Sequence, residues 1–263
     1  NNATTATQTI NINDTTAPVV TGTLTASNTN GCSITDASIA MTSVSQLEAA
    51  GLTISDNCTT DANLVVTSSD GTATGTCPIT FTRTYTITDA CNNATTVTQI
   101  ININDTTAPV VTGTLTAVNE TGCSIAAAPS AMTTVTALET AGLTISDNCT
   151  ADANLVVTSS DGTATGTCPI TFTRTYTIKD ACNNATTVTQ TITVQDTTAP
   201  IFSGTVPQDI TLECNQTIPS AATVTATDNC NGLVTINFTE QNQPGTCPNN
   251  YSITRTWVAT DIC

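Results

Sequence analysis

The sequence has no histidine, and only four lysines and arginines against twenty aspartates and glutamates, for a formal net charge of -16. Without histidine there is no Ser-His-Asp or Cys-His nucleophile and no His-ligated zinc. The shortage of cations excludes nucleic acid and anionic lipid as partners, because both are held by basic patches. Aromatic residues make up 3% and charged residues 9%, so there is little material for a sugar-binding platform of exposed rings. No CxxC pair occurs, which argues against zinc ribbons and thioredoxin-like redox chemistry. No apolar run approaches the roughly 18–20 residues of a membrane span. No basic-apolar leader opens the chain, which reads as a mature or internal segment.

What is present is threonine, a β-branched strand former, and twelve cysteines. An even cysteine count without metal-ligand spacing predicts disulfides, and hence an extracellular or cell-surface location. The sequence also repeats itself. Asp-Thr-Thr-Ala-Pro occurs at 14–18, 105–109 and 196–200, and Gly51–Cys58 returns as Gly142–Cys149. The expected division is 14–104, 105–195 and 196–263, each with four cysteines in the same order. Residues 1–13 match the last strand of a preceding repeat, and the third repeat lacks that strand. Two explanations fit this frame. One is a window onto a longer tandem array; the other is a donor strand that completes the last repeat of a like chain.

Within a repeat, residues 79–88 alternate strictly and predict a strand; so do 19–25, 64–67 and 95–103. Residues 44–50 predict one helical turn ending at Gly51. In the third repeat, strands are expected at 209–214, 222–227, 233–239 and 251–260. The fold class expected is all-β: tandem immunoglobulin-like sandwiches of roughly seven strands, two disulfides per domain, arranged as an elongated rod. Running the third-repeat strands up and down puts the first and third cysteines at one end and the second and fourth at the other. That predicts pairs Cys32–Cys77, Cys58–Cys91, Cys123–Cys168, Cys149–Cys182, Cys214–Cys247 and Cys230–Cys263. Four cysteines allow three connectivities, so spacing alone leaves the pairing open.

The same geometry gathers carboxylates. Asp56 and Asp89 lie in loops at the end where the linker bearing Asp14 enters. Asp105, Asp147 and Asp180 repeat the set, as do Asp196, Asp228 and Asp261. Three carboxylates repel one another unless a cation is shared, and oxygen-only ligands suit calcium, which would stiffen the linker. A plainer reading makes each aspartate a turn cap. No EF-hand spacing is present.

Arg83, Arg174 and Arg255 recur eight residues before each last cysteine, and a guanidinium stacked on Tyr85, Tyr176 or Trp257 is expected. Thr80, Thr82, Thr84, Thr86 and Thr88 form a hydroxyl ladder on one face, expected to be solvated, with O-glycans or ice as other readings. Asn-x-Ser/Thr sequons occur at Asn2, Asn93, Asn184, Asn215 and Asn237.

Residues Val206–Cys214, Ala226–Cys230 and Thr254–Asp261, with the Asp-Thr-Thr-Ala-Pro linkers, resemble the hyalin-repeat (HYR-like) family. The likeness is to its four-cysteine bacterial type, found in tandem-repeat cell-surface and gliding-type adhesins of Bacteroidota. The resemblance covers essentially the whole chain and is best in the third repeat. It implies an Ig-like fold and an adhesive or stalk role, with no catalytic site. The expected partners are neighbouring repeats, like chains in a fibre, and a surface glycan or substratum ligand. A carbohydrate-binding module and a carboxylate-pair hydrolase are the other classes considered.

Overall fold

A computed structural model describes residues 2–230, 232–246 and 249–263. The described residues are all-β apart from single turns and two six-residue helices. In the first repeat the strands are β1 (Val19–Gly22), β2 (Ser27–Asn30), β3 (Leu52–Ser55), β4 (Val65–Asp70), β5 (Ile79–Thr88) and β6 (Ala94–Asn104). They form two sheets: β1 pairs with β3, and the other four stand in the order β2-β6-β5-β4. The count is six strands where about seven were expected.

The alternation in 79–88 does what period-2 patterns do. Phe81, Arg83, Tyr85 and Ile87 point inward and are buried; the threonines between them face outward. Leu52 and Ile54 of the small sheet meet Val66, Tyr85 and Ile87 of the large one, so the core is the filling of a sandwich. Helix α1 (Val44–Ala49) closes one side by burying Val44 and Leu47. Its N-cap is Ser43, whose hydroxyl accepts from the Gln46 N–H. Gly51, at φ +110°, ends it in a conformation that suits glycine.

The second repeat uses the same plan, with β7 (Val110–Gly113), β8 (Val118–Thr121), β9 (Leu143–Ser146), β10 (Val156–Asp161), β11 (Ile170–Lys179) and β12 (Ala185–Gln195). Its sheets are β7-β9 and β10-β11-β12-β8, and α2 (Val135–Thr140) stands where α1 does. In both repeats the second strand runs parallel to the last one: Ser27 is opposite Ile101, and Val118 opposite Ile192.

Among the described residues the third repeat has two two-stranded sheets. These are β13 (Ile201–Ser203) with β14 (Thr225–Thr227), and β15 (Thr235–Pro244) with β16 (Tyr251–Thr260). The strand expected at 209–214 does not form. In the first repeat the corresponding segment is β2, whose only ladder is with β6. The third repeat has no β6 equivalent among the described residues, so 209–212 has no edge to pair with, and Ile210 is 63% exposed.

The chain divides into two compact units. The first comprises Asn1–Val110, Ile145–Val156 and Ile178–Thr186; the second comprises Val111–Thr144, Val157–Thr177 and Thr187–Cys263. The loops that bear Cys149 and Cys182, the second and fourth cysteines of the second repeat, therefore belong to the unit built on the first.

The disulfides explain that division and overturn the expected pairing. The bonds are Cys32–Cys149, Cys77–Cys182, Cys123–Cys230 and Cys168–Cys263. Each joins one repeat to the next, first cysteine to second and third to fourth. None is the within-repeat bond expected at Cys32–Cys77, Cys58–Cys91, Cys123–Cys168, Cys149–Cys182 or Cys230–Cys263. The assignment of two cysteines to each end was compatible with both schemes, because an end with two cysteines can bond internally or across a junction. The expected Cys214–Cys247 bond involves Cys247, outside the described residues. Cys58, Cys91 and Cys214 are unbonded and exposed.

Candidate metal centre at the repeat junctions

Each junction is built from one linker and two loops. In the first, Asp14 comes from the linker, Asp56 from the loop after β3 and Asp89 from the turn between β5 and β6. One ligand atom from each lies within 4.8 Å of the others. Each aspartate uses one oxygen to hold its own turn. Asp14 Oδ1 accepts from the Thr16 N–H at 3.0 Å. Asp56 Oδ1 accepts from the N–H groups of Cys58 and Thr59 at 3.0 and 2.7 Å. Asp89 Oδ1 accepts from Cys91 and Asn93, both at 2.8 Å. Asn92, at φ 70°, lets this last turn close tightly.

The second oxygens behave differently. Those of Asp14 and Asp56 are buried without a hydrogen-bond partner. Buried polar atoms are normally satisfied, and an orphan needs a reason. Asp89 Oδ2 accepts from the Asn93 side chain at 2.7 Å, and the same amide reaches the Asp14 carbonyl at 3.3 Å. Burial, the largest influence on Asp89, opposes its charge; the Asn93 and Cys91 donors outweigh it and hold the carboxyl below the usual range.

The second junction copies the first. Asp105, Asp147 and Asp180 bring ligand atoms within 4.8 Å. Asp105 is 3% exposed and Asp180 4%. Asp147 Oδ1 accepts from the N–H groups of Cys149 and Thr150, and Asp180 is held by Cys182, Asn184 and the Asn184 amide. The second oxygens of Asp105 and Asp147 are buried and unpartnered. Asn148 contributes a further amide, 3.3 Å from Asp105 Oδ1. Two disulfides end in these loops, at Cys149 and Cys182.

The third junction departs from the expected set. The atoms that come together belong to Asp196, Asp228 and Cys230, and Cys230 is bonded to Cys123, so its sulfur is no thiolate ligand. Asp261 lines the same cleft, with Oδ1 capping the Cys263 N–H at 2.8 Å. Asp228 has an unpartnered buried oxygen. Donation from the Thr198 N–H, above all, holds the Asp196 carboxyl below its ordinary value.

Both readings of the aspartates therefore have a place. One oxygen per residue caps a turn, and in each of the first two junctions two others converge unused. An oxygen-only donor set with orphaned buried lone pairs fits a hard cation such as Ca²⁺.

The recurrent arginines are structural, with a different partner from the one expected. Arg83 is 5% exposed, and its Nε and Nη2 grip Asp70 at 2.6 and 2.9 Å. Nη1 donates to the Ser38 carbonyl. The ring its guanidinium stands over is Phe81, 5.8 Å to the centroid. Arg174 repeats this with Asp161, Pro129 and Phe172. Arg255 pairs with Glu240, and Trp257 packs on Phe238. Asp70 and Arg83 face each other directly across β4 and β5.

Sequence reasoning missed Asn93, Asn184 and Asn148. Their signal is an Asn two residues after the fourth cysteine of a repeat, at Asn93 and Asn184, which the sequence reading treats only as sequons, and the Asn before a second cysteine, at Asn148.

No family model matches the chain, and no curated protein does. Among solved structures it is similar to Drosophila N-cadherin EC1-4, at 11% identity over 69% of this chain and 50% of that one, with a TM-score of 0.34. The protocadherin GammaB4 extracellular domain gives 12% over 87% and 43%, with a TM-score of 0.30. Human mucin-like protocadherin EC1-2 gives 9% over 68% and 98%, with 0.25. The chain spans about half the length of the first two. Likeness at this level does not bear on the site. Among the described residues, no helix is long and apolar enough to cross a membrane.

Proposed function

We propose that the chain is a structural segment of an extracellular fibre or adhesin stalk, of the HYR-like type its motifs resemble, in which junctions rather than domains carry the function. The observation that supports this most is the coincidence, at one junction, of two repeat-to-repeat disulfides with a carboxylate triad whose spare oxygens are buried and unpartnered. Disulfides of this kind belong in an oxidising compartment. Calcium held by Asp105, Asp147 and Asp180, and by Asp14, Asp56 and Asp89, would supply the missing partners and fix each linker against two loops. Asp196 and Asp228, with Asp261 beside them, form a weaker third site. The acidic, threonine-rich surface keeps such a chain soluble. A carbohydrate-binding module is less well supported, since Tyr85 and Tyr176 are each 1% exposed and Trp257 packs on Phe238.

The test is the melting temperature of the non-reduced protein in calcium and in excess chelator. A site saturated about a thousandfold above its dissociation constant adds roughly 4 kcal/mol. A drop on chelation that calcium restores and magnesium does not is the expected result. An unchanged melting temperature would reduce the triads to turn caps.

A further inference from the structure

The loops that carry Asp147 and Asp180 also carry disulfides. Asp147 stands two residues before Cys149, and Asp180 two before Cys182. Each carboxylate binds the N–H of its own cysteine, Asp147 Oδ1 at 3.0 Å and Asp180 Oδ1 at 2.8 Å. Cys149 is bonded to Cys32, just after β2, and Cys182 to Cys77, just before β5. The third carboxylate, Asp105, directly follows β6, which lies between β2 and β5 in the sheet. The linker ligand is thus continuous with the sheet, and each loop ligand is tied to that sheet through one sulfur bridge. All these residues belong to one compact unit.

Asn148 makes the connection direct. Its side-chain nitrogen is 3.3 Å from Asp105 Oδ1, 2.9 Å from Cys149 Sγ and 3.5 Å from Cys32 Sγ. One amide therefore touches a ligand carboxylate and both sulfurs of a disulfide. Asn184 ties in the second loop, donating to the Asp180 carboxylate at 2.7 Å and to the Asp105 carbonyl at 3.0 Å. Thr150, 6% exposed, joins the two loops, its hydroxyl accepting from the Ala181 N–H at 3.2 Å. Asp105, 3% exposed, keeps a buried oxygen without a partner. Carboxylates this close repel one another. Their repulsion drives the loops apart, the sulfur bridges oppose that movement, and a shared cation removes the repulsion.

We propose that Cys32–Cys149 and Cys77–Cys182 are positioning cross-links for a calcium ion at Asp105, Asp147 and Asp180, so that disulfide formation and calcium binding strengthen each other. The inference rests on the calcium reading above and adds a regulation to it. Without the bridges the ion itself has to order both loops, and its affinity falls. The coupling is reciprocal: the factor by which reduction weakens calcium binding is the factor by which calcium disfavours reduction. Reduction by a dithiol balances simply. Each protein disulfide takes up two electrons and two protons to become two thiols, and the dithiol closes to a cyclic disulfide.

The experiment equilibrates the 263-residue chain with graded ratios of a cyclising dithiol and its disulfide, in calcium, in magnesium or in chelator. Free thiols are then alkylated, and each bond is followed by mass spectrometry of its peptides. The ratio that half-reduces Cys32–Cys149 and Cys77–Cys182 should rise about tenfold in calcium, within the usual range of coupling between sites, and stay unchanged in magnesium. Asp105→Asn keeps every cysteine and should abolish the shift at these two bonds alone, leaving Cys123–Cys230 and Cys168–Cys263 as in the parent. A half-reduction ratio indifferent to calcium would overturn the inference. So would a shift that Asp105→Asn lowers equally at all four bonds, because calcium would then protect them only by stabilising the whole fold. Melting temperatures of the same samples separate the two claims. A calcium-dependent rise without a redox shift sinks only the coupling; the absence of both sinks the calcium reading as well.

Discussion

Cutting the backbone between the first two repeats would show where the cross-links run. A protease site inserted between Thr116 and Ala117, both exposed, lies between Cys91 and Cys123. If bonds closed within repeats, cleavage would give two fragments without reductant. With Cys32–Cys149 and Cys77–Cys182 in place, the nicked protein stays one species near 26.8 kDa and separates only on reduction. The stability effect can be worked out as well. Cys32 and Cys149 are 117 residues apart, and a loop of that size is worth roughly 5 kcal/mol in the chain-entropy model. The neighbouring bond shortens the covalent route to about 80 residues, which lowers the figure only to about 4.5 kcal/mol because the dependence is logarithmic. At roughly 2–4 °C per kcal/mol, Cys32→Ala with Cys149→Ala should melt about 10–18 °C lower in differential scanning calorimetry. Fragments that separate on a non-reducing gel, with a Cys32–Cys77 peptide in the digest, would refute the reasoning.

Other consequences are open to simpler measurements. Arg83→Ala strands Asp70 and opens space beside Phe81; a loss of about 1–3 kcal/mol in urea unfolding is expected, tempered because Asp70 is nearly half exposed. Arg83 lowers the Asp70 carboxyl, and donors from Asn93 and Cys91, outweighing burial, lower that of Asp89. Both therefore support the fold fully above their unfolded values near pH 4 and lose that support as pH falls through the lower folded values, so urea midpoints should decline in that window. A rising midpoint there would contradict the assignment. Asn93 and Asn184 spend their amide nitrogens on Asp89 and Asp180; expressed in a glycosylating host, neither should carry an N-glycan by mass spectrometry, whatever happens at Asn215 and Asn237. Asp105→Asn should halve the calcium-dependent melting shift, leaving the triad of Asp14, Asp56 and Asp89 intact.

The elements that could be read from sequence were those whose pattern is local. Residues 79–88 alternate, and β5 spans those residues; Ser43 and Gly51 bracket a helix by ordinary capping chemistry. The convergence of the first two aspartate triads was also legible, because a linker and two turns must meet wherever strands run up and down; the third brings Asp196 and Asp228 together without Asp261. Two things were not. Which cysteine bonds which is a property of how one repeat meets the next, and four cysteines within a single repeat carry no trace of that. The failure of 209–214 to form a strand has the same origin: its composition is strand-like, but a strand exists only where a neighbour does. The choice of Tyr85 as the Arg83 partner followed strand-face periodicity in one direction only, and Phe81 is equally distant on the same face.

The cross-links also determine how the molecule bears load. Pulled from its ends, the chain does not transmit force along its whole backbone. The shortest covalent path runs from Asn2 to Cys32, crosses to Cys149, continues to Cys168 and crosses again to Cys263. That path contains about 50 residues and can extend to roughly 180 Å, whereas the unbridged chain would reach roughly 900 Å. Residues 33–148 and 169–262 are hidden length, outside the line of tension. Reduction would release that length, so the extension the chain allows under tension depends on the redox state of its surroundings.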